Sequence, residues 1–309
     1  MTPSSSCSAP LFETRKPLPT LPSLPSPSLG PWQAAWLRLR RQRSATLALG
    51  FLLVITLACL LGPSLTAFEE SQQNLDAVAQ APSITHWMGT DLLGRDLLTR
   101  ILLGGRISLF IGLVATLVAM LIGVAYGLIS GMAGGRLDNA MMRFVDVLYG
   151  FPFMAFVILL TVIFERSLVL LFVAIGAVEW LTTARVVRGQ VLSLMNQEFV
   201  LAARVSGAGS LRILWRHLVP NVMGQVVIYA SLTVPGIMLL EAVLSFLGLG
   251  VQPPQSSWGT LIQEGANNME TSPWMLLFPG SLFIATLLAL NTLGDALRDA
   301  LDPKSDSGR

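Results

Sequence analysis

Charge is what this sequence has least of. Of its 309 residues only 12% are Asp, Glu, Lys or Arg, where a soluble domain carries about 25%. Hydrophobic residues make up 53% and mean hydropathy is +0.65, so the chain cannot cover a globular surface with polar groups. Cysteine is scarce too. Cys7 sits in a polar tail and Cys59 inside an apolar run, which makes them poor disulfide partners and leaves redox chemistry unsupported. The two histidines, His86 and His217, are too few and too far apart for a metal site or a catalytic triad. No Gly-x-x-x-x-Gly-Lys-Ser/Thr loop is present to cradle nucleotide phosphates, so any ATP must be hydrolysed by a partner. His-Glu-x-x-His, Cys-x-x-Cys and nucleophile-elbow sequences are missing as well, and the chain reads as a non-enzyme without a cofactor. Its net charge of +2 does not come from basic residues interleaved with aromatics, which sets nucleic-acid binding aside. Residues 1–43 contain no apolar core of a cleaved signal peptide, so the first hydrophobic run is expected to remain as an anchor.

What is present starts with a Pro- and Ser-rich stretch over residues 1–31, a composition that favours extended, solvated chain and suits a cytosolic tail. Arg38, Arg40, Arg41 and Arg43 then stand directly before an apolar run, as at the cytosolic flank of a membrane helix. A bilayer core of about 30 Å takes about 20 apolar residues of helix. Uncharged stretches of 25 residues between Arg43 and Glu69 and of 29 between Arg106 and Arg136 are long enough. So are those of 24 from Arg216 to Glu241 and from Glu270 to Asp295. Two shorter candidates lie between Arg143 and Glu165, with Asp146 inside, and between Arg166 and Arg185, with Glu179 inside.

Six crossings with both termini in the cytosol put sixteen of the twenty Lys and Arg residues on inside segments, as the positive-inside rule requires. The expectation is an all-α, polytopic membrane protein. Residues 1–43 form a tail and basic flank, 44–65 the first transmembrane helix, and 66–105 an external loop. Residues 106–297 form the transmembrane domain, with an inside loop at 191–221, and 298–309 a cytosolic tail. Arg95, Arg100 and Arg106 face the wrong way for the rule, accompanied by Asp91 and Asp96. Leu97 to Leu103 reads as a short amphipathic helix. Pro253, Pro254, Trp258 and Trp274 suit a membrane interface with aromatic anchors.

The long inside loop carries the most information. Glu198-Phe199-Val200-Leu201-Ala202-Ala203-Arg204 favours a helix, and Gly207 and Gly209 then mark a turn, since each glycine costs about 1 kcal/mol inside a helix. A second short segment, Leu211 to Leu218, is expected to end at Pro220. Small residues at 202, 203, 207 and 208 give this helix a bald face that fits either a groove on another protein or the membrane surface.

Ala202-Ala203, Gly207 and Pro220-Asn221 resemble the EAA loop of ABC importer permeases, although the glutamate expected before the two alanines is Leu201 here. Five further pieces resemble the C-type permeases of oligopeptide and dipeptide importers. They are Gly89-Thr90-Asp91-Leu92-Leu93-Gly94-Arg95-Asp96, Gly104-Gly105-Arg106-Ile107-Ser108, Leu244-Ser245-Phe246-Leu247-Gly248-Leu249-Gly250, Ser257-Trp258-Gly259 and Gly294-Asp295-Ala296-Leu297-Arg298-Asp299-Ala300-Leu301-Asp302-Pro303. The resemblance covers about residues 86 to 303 and implies a type-1 ABC importer permease bundle in the inner membrane. It also implies a heterodimer with a second related permease, two ATPase subunits, and an external binding protein that delivers peptide. Residues Glu198, Ala202, Ala203, Arg204, Gly207, Ala208 and Pro220 would then belong to the coupling loop that docks on an ATPase. Oligopeptides are the expected cargo, with dipeptides, nickel chelates and antimicrobial peptides as alternatives.

An acid in mid-membrane costs on the order of 3 kcal/mol, so Asp146, Glu179 and Glu241 are expected to face protein or water. Asp146 is expected to pair with an arginine near a helix end, Arg143 or Arg185, and Arg143 lies within one helical turn. Glu179 and Glu241 either line the translocation path or pair with arginines near helix ends. A proton relay through either acid, as in a secondary transporter, and a purely structural membrane role stay open as other readings. Pro152 and Pro235 are expected to bend the third and fifth crossings.

Overall fold

Within a bilayer every backbone N–H and C=O must find its partner inside the chain, and helices achieve this locally. The computed structural model describes residues 31–66, 68–69, 71–164 and 168–301. Among these residues regular structure is helical, with one isolated bridge between Thr90 and Asp96. The Pro/Ser-rich segment before residue 31, Arg166, Lys304 and Arg309 lie outside the described residues.

Helix α1 (Pro31–Arg41) leads through Gln42 into α2 (Arg43–Leu61). Steps of three and four place Ala45, Ala48, Leu52, Ile55 and Cys59 on one buried stripe of α2, while Leu47, Leu53, Val54, Leu57 and Leu60 point outward. The stripe packs on the last helix, α11 (Trp274–Leu301), through Ala289 and Ala296. Arg38 Nη1 donates to the Ala300 carbonyl at 3.3 Å and ties α1 to the end of α11.

The second long helix, α3, runs unbroken from Leu97 to Ala133, 37 residues. The short helix expected over residues 97–103 is therefore its beginning, and the loop before it ends at Asp96 instead of near residue 105. Charge misplaced that boundary. Arg100 lies inside the helix because Asp91 and Glu264 neutralise it, and Asp96 caps the start by accepting from the Thr99 N–H at 2.9 Å. At 1.5 Å per residue α3 is about 55 Å long, well beyond the hydrocarbon core. Along its second half Gly123, Gly127 and Gly131 let α6 (Leu168–Met195) approach closely. A Cβ on them would meet Thr183, Ala184 and Val191 at 2.5, 2.6 and 2.8 Å respectively, the small-residue packing usual between membrane helices.

Pro152 does not bend a helix but separates two, α4 (Gly135–Tyr149) and α5 (Phe153–Phe164), because the residue before a proline is steered out of the helical region. Pro220 also departs from expectation. The chain passes from α7 (Glu198–Val205) through a turn to α8 (Ser210–Ile213), a π segment (Leu214–Leu218) and α9 (Val219–Phe246) without ending at the proline. The wider π turn leaves Pro220 in the first turn of α9, where its missing N–H is not needed. Pro235 lies within α9, which continues past it. Helix α10 (Trp258–Asn267) precedes α11.

Four stretches among the described residues are long and apolar enough to cross a membrane: Arg43–Ser64, Leu97–Ala133, Ser210–Phe246 and Trp274–Leu301. They match the first, second, fifth and sixth expected crossings. The third falls on α4 and α5 and the fourth on α6, with residues 165–167 between them outside the description.

Candidate functional site

The segment between α6 and α9 is built around one buried anchor. Val200 is fully buried and joins Leu128 of α3, Val187 and Val191 of α6, Ile213 and Leu218 in a single apolar cluster. Helix α7 ends in a Schellman motif: the Gly207 N–H donates to the Arg204 carbonyl at 2.9 Å and the Ala208 N–H to the Ala203 carbonyl at 3.0 Å. That closure needs a left-handed residue, which Gly207 supplies with φ of +79°. A Cβ at Gly207 would meet nothing within 4 Å, so conformation and not space selects glycine.

With Val200 turned inward, the rest of α7 is presented outward. Glu198, Ala202, Arg204, Gly207 and Pro220 are exposed, and Ala203 and Ala208 are half-buried. The surface is more apolar than the alanines alone foretold: Leu201, Val205, Leu211 and Trp215 are 46%, 90%, 70% and 66% exposed. Leu201 and Val205 stand one helical turn apart, a spacing that could have flagged them in the sequence. Near the base of the loop Arg188 of α6 grips Asp138 of α4 with two bonds, Nε to Oδ1 at 2.5 Å and Nη2 to Oδ2 at 2.6 Å. Ser130 of α3 donates to the same carboxylate. The Arg188 guanidinium holds the Asp138 carboxyl below the usual carboxylate range.

The acids inside the helical bundle separate into two environments. Glu241 of α9 has no exposed surface. Its Oε1 accepts from Ser245 and Ser257, both at 2.7 Å, and its Oε2 from Ser108 at 3.4 Å. One carboxylate thus joins α3, α9 and the N-terminus of α10. Asp146 pairs with Arg185 at 2.6 Å and not with Arg143, because Arg185 on α6 faces it directly. The Arg185 guanidinium also lies 4.2 Å from the Tyr149 ring centre, and Tyr149 hydrogen-bonds Thr182. Glu179 is half-buried one turn before Thr182 and two before Arg185, which sets all three on one face of α6.

Beyond the far end of α9 the motif residues converge. Trp258, expected as an interfacial anchor, is fully buried. Its indole reaches the core because Gly105 leaves room: a Cβ there would meet Trp258 Cζ2 at 2.5 Å and Cys59 Sγ at 2.6 Å. The Trp258 N–H donates to Ser108 at 3.1 Å. Above them Asp91 Oδ2 accepts from Arg95 at 2.6 Å and Arg100 at 2.7 Å, while Arg100 also donates to both oxygens of Glu264. His86 contacts Asp96 at 2.9 Å. No cluster of potential metal ligands occurs among the described residues. The polar groups here brace helices and loops together.

Residues 123–307 match the family described as binding-protein-dependent transport system inner membrane component. Residues 30–82 match the N-terminal transmembrane domain of oligopeptide transport permease C. The chain is 53% identical over 275 residues to the oligopeptide transport system permease protein OppC of Escherichia coli strain K12, covering 88% of this chain and 91% of that protein. It is 44% identical to OppC of Bacillus subtilis, covering 90% and 91%. Identity is also 44% to the dipeptide transport system permease protein DppC of the same organism, covering 91% and 88%.

Proposed function

The chain belongs to the family of binding-protein-dependent transport system inner membrane components, and on that premise we propose that it is the C-type half of the pore in an ATP-driven oligopeptide importer. Oligopeptides as cargo are supported by the 53% identity to a protein named for that substrate. The 44% relative named for dipeptides favours short peptides as the second reading. The chain pairs in this reading with a second related permease, binds two ATPase subunits inside and receives cargo from an external binding protein. It crosses the inner membrane six times and keeps both termini in the cytosol, in keeping with the distribution of Lys and Arg.

The observation that carries the proposal is the exposed, glycine-terminated helix α7, whose one buried residue is Val200. Its outward row of Leu201, Ala202 and Val205 fits a helix-in-groove contact with an ATPase. ATP-driven closure of the ATPases displaces α7. Through α8 and the π segment the motion reaches α9, whose far end is braced to α3 and α10 by Glu241. Two access states then differ in population because the ATPases bind them unequally. Glu179, Thr182 and Arg185 line the inner part of the path, while the buried Glu241 holds the helices that frame it.

Reconstitution of the purified complex in proteoliposomes tests this directly. Uptake of labelled peptide should need internal ATP and external binding protein, and should vanish when Gly207→Val removes the ATPases. Uptake that follows a proton gradient without ATP would replace this proposal with a secondary transporter. Competition between dipeptides and longer peptides separates the two cargo readings.

A further inference from the structure

Antiparallel packing fixes the depth of one unusual arginine. A Cβ on Gly62, just past the end of α2, would meet Leu102 of α3 at 2.7 Å, and a Cβ on Gly105 would meet Cys59 of α2 at 2.6 Å. Arg106 therefore lies level with the last turns of α2. The eighteen steps from Arg43 to Leu61 rise about 27 Å, close to one hydrocarbon thickness, so Arg106 lies about one turn beneath the headgroup layer that α2 reaches. This depth does not depend on which side of the membrane is taken as outside.

At that level Arg106 is exposed and, among the described residues, has no hydrogen-bond or ion-pair partner. It contrasts with Arg95 and Arg100 above it, both buried on Asp91. Arg106 stands at a groove of about 530 Å³ between α2 and α3, lined by Thr56, Leu60, Leu109, Phe110 and Leu113. Thr56 and Arg106 are its polar side chains. A long cationic side chain just below a headgroup layer extends toward that layer. A guanidinium fork matches a phosphate oxygen pair, and an apolar trough beneath it matches an acyl chain.

We propose that this groove is a phospholipid site, with the headgroup phosphate held by Arg106 and one acyl chain lying along Leu60, Leu109 and Leu113. The site seats the otherwise lipid-facing side of α2 against α3 near the Trp258 core, so an ordered lipid becomes part of the wall beside the outer brace.

Native mass spectrometry of the intact complex with its partner permease and ATPases, titrated with phosphatidylglycerol, tests the site. The wild-type complex should retain one lipid after loosely bound lipids are stripped. Arg106→Gln should weaken that retention by about tenfold, the loss of one charge-assisted contact, while Arg106→Lys keeps part of it. Equal retention by Arg106→Gln overturns the proposal. In a complex that keeps Arg106, a photo-reactive benzoylphenylalanine at Leu60 should cross-link to lipid. Cross-linking to the partner permease instead would assign the groove to a subunit contact and also overturn the lipid site. Neither result bears on ATP-dependent uptake, so failure here is distinct from failure of the importer assignment.

Discussion

The indole N–H of Trp258 donates to the main-chain carbonyl of Ile101 at 2.9 Å, from a residue with no exposed surface to the second turn of a helix 157 positions earlier. Around it Gly105 leaves room for the ring and Gly259 for Ala242 and Ser245 of α9, while the Ser108 and Ser257 hydroxyls donate to Glu241.

Gly105→Val should therefore be among the most damaging single changes. The added atoms meet Trp258 and Cys59, both without exposed surface. Overpacking of this kind costs about 1–3 kcal/mol. Thermal unfolding followed by size-exclusion fluorescence should show a clear fall in melting temperature, and Gly50→Val, where nothing lies within 4 Å, should show much less.

Gly207 makes a different prediction, because its constraint is conformational. Gly207→Ala places a Cβ in a left-handed conformation at a cost of about 1–2 kcal/mol, and Gly207→Asn should be milder since asparagine tolerates that region. Copurification of the ATPase should fall in the order Gly, Asn, Ala, Val. An equal yield for all four would remove the role assigned to the turn.

Asp138→Asn breaks the paired contact with Arg188 and should cost about 2 kcal/mol, the range for hydrogen bonds to a charged group. The pH dependence has a defined sign. The folded-state pKa of Asp138 lies below its ordinary value, so the stabilisation is present above the unfolded value, about 3.9, and is lost as pH falls through the folded value. Melting temperatures of wild type and Asp138→Asn should differ at neutral pH and converge on acidification.

Glu241→Gln and Glu179→Gln separate bracing from lining. Glu241→Gln should lower stability, because an amide cannot accept from all three serines while its own NH2 finds a partner in the same enclosure. ATP-driven uptake should persist in whatever complex assembles. Glu179→Gln should leave the melting temperature within about 0.5 kcal/mol equivalent and change the rate or peptide preference of uptake. Loss of proton-linked uptake in either variant would point to a relay instead.

Much of this was legible in the residues, and the failures share a cause. Arg43 marked the start of α2 correctly because no acid lies nearby to hide it, whereas Arg100 suggested a boundary only because its partner Glu264 is 164 positions away. The turn at Gly207 could be read since a Schellman closure is local. The π segment before Pro220 could not, for it depends on the packing of Ile213 and Leu218 against α6 and α3. Trp258 looked like a membrane anchor from composition; that Gly105 opens a pocket for it is a fact of tertiary approach. For Asp146 the sequence offers Arg143, one turn away, and Arg185, 39 positions on, and only the packing of α6 beside α4 selects Arg185.

The proposed orientation of α7 toward the cytosol is tested most directly with Ser206→Cys in a chain carrying Cys7→Ser and Cys59→Ala. A membrane-impermeant maleimide should leave this cysteine unlabelled in intact cells, label it in inside-out vesicles stripped of ATPase, and lose access when the ATPase is restored. Labelling from the exterior of intact cells would contradict the orientation of the loop and the docking role built on it.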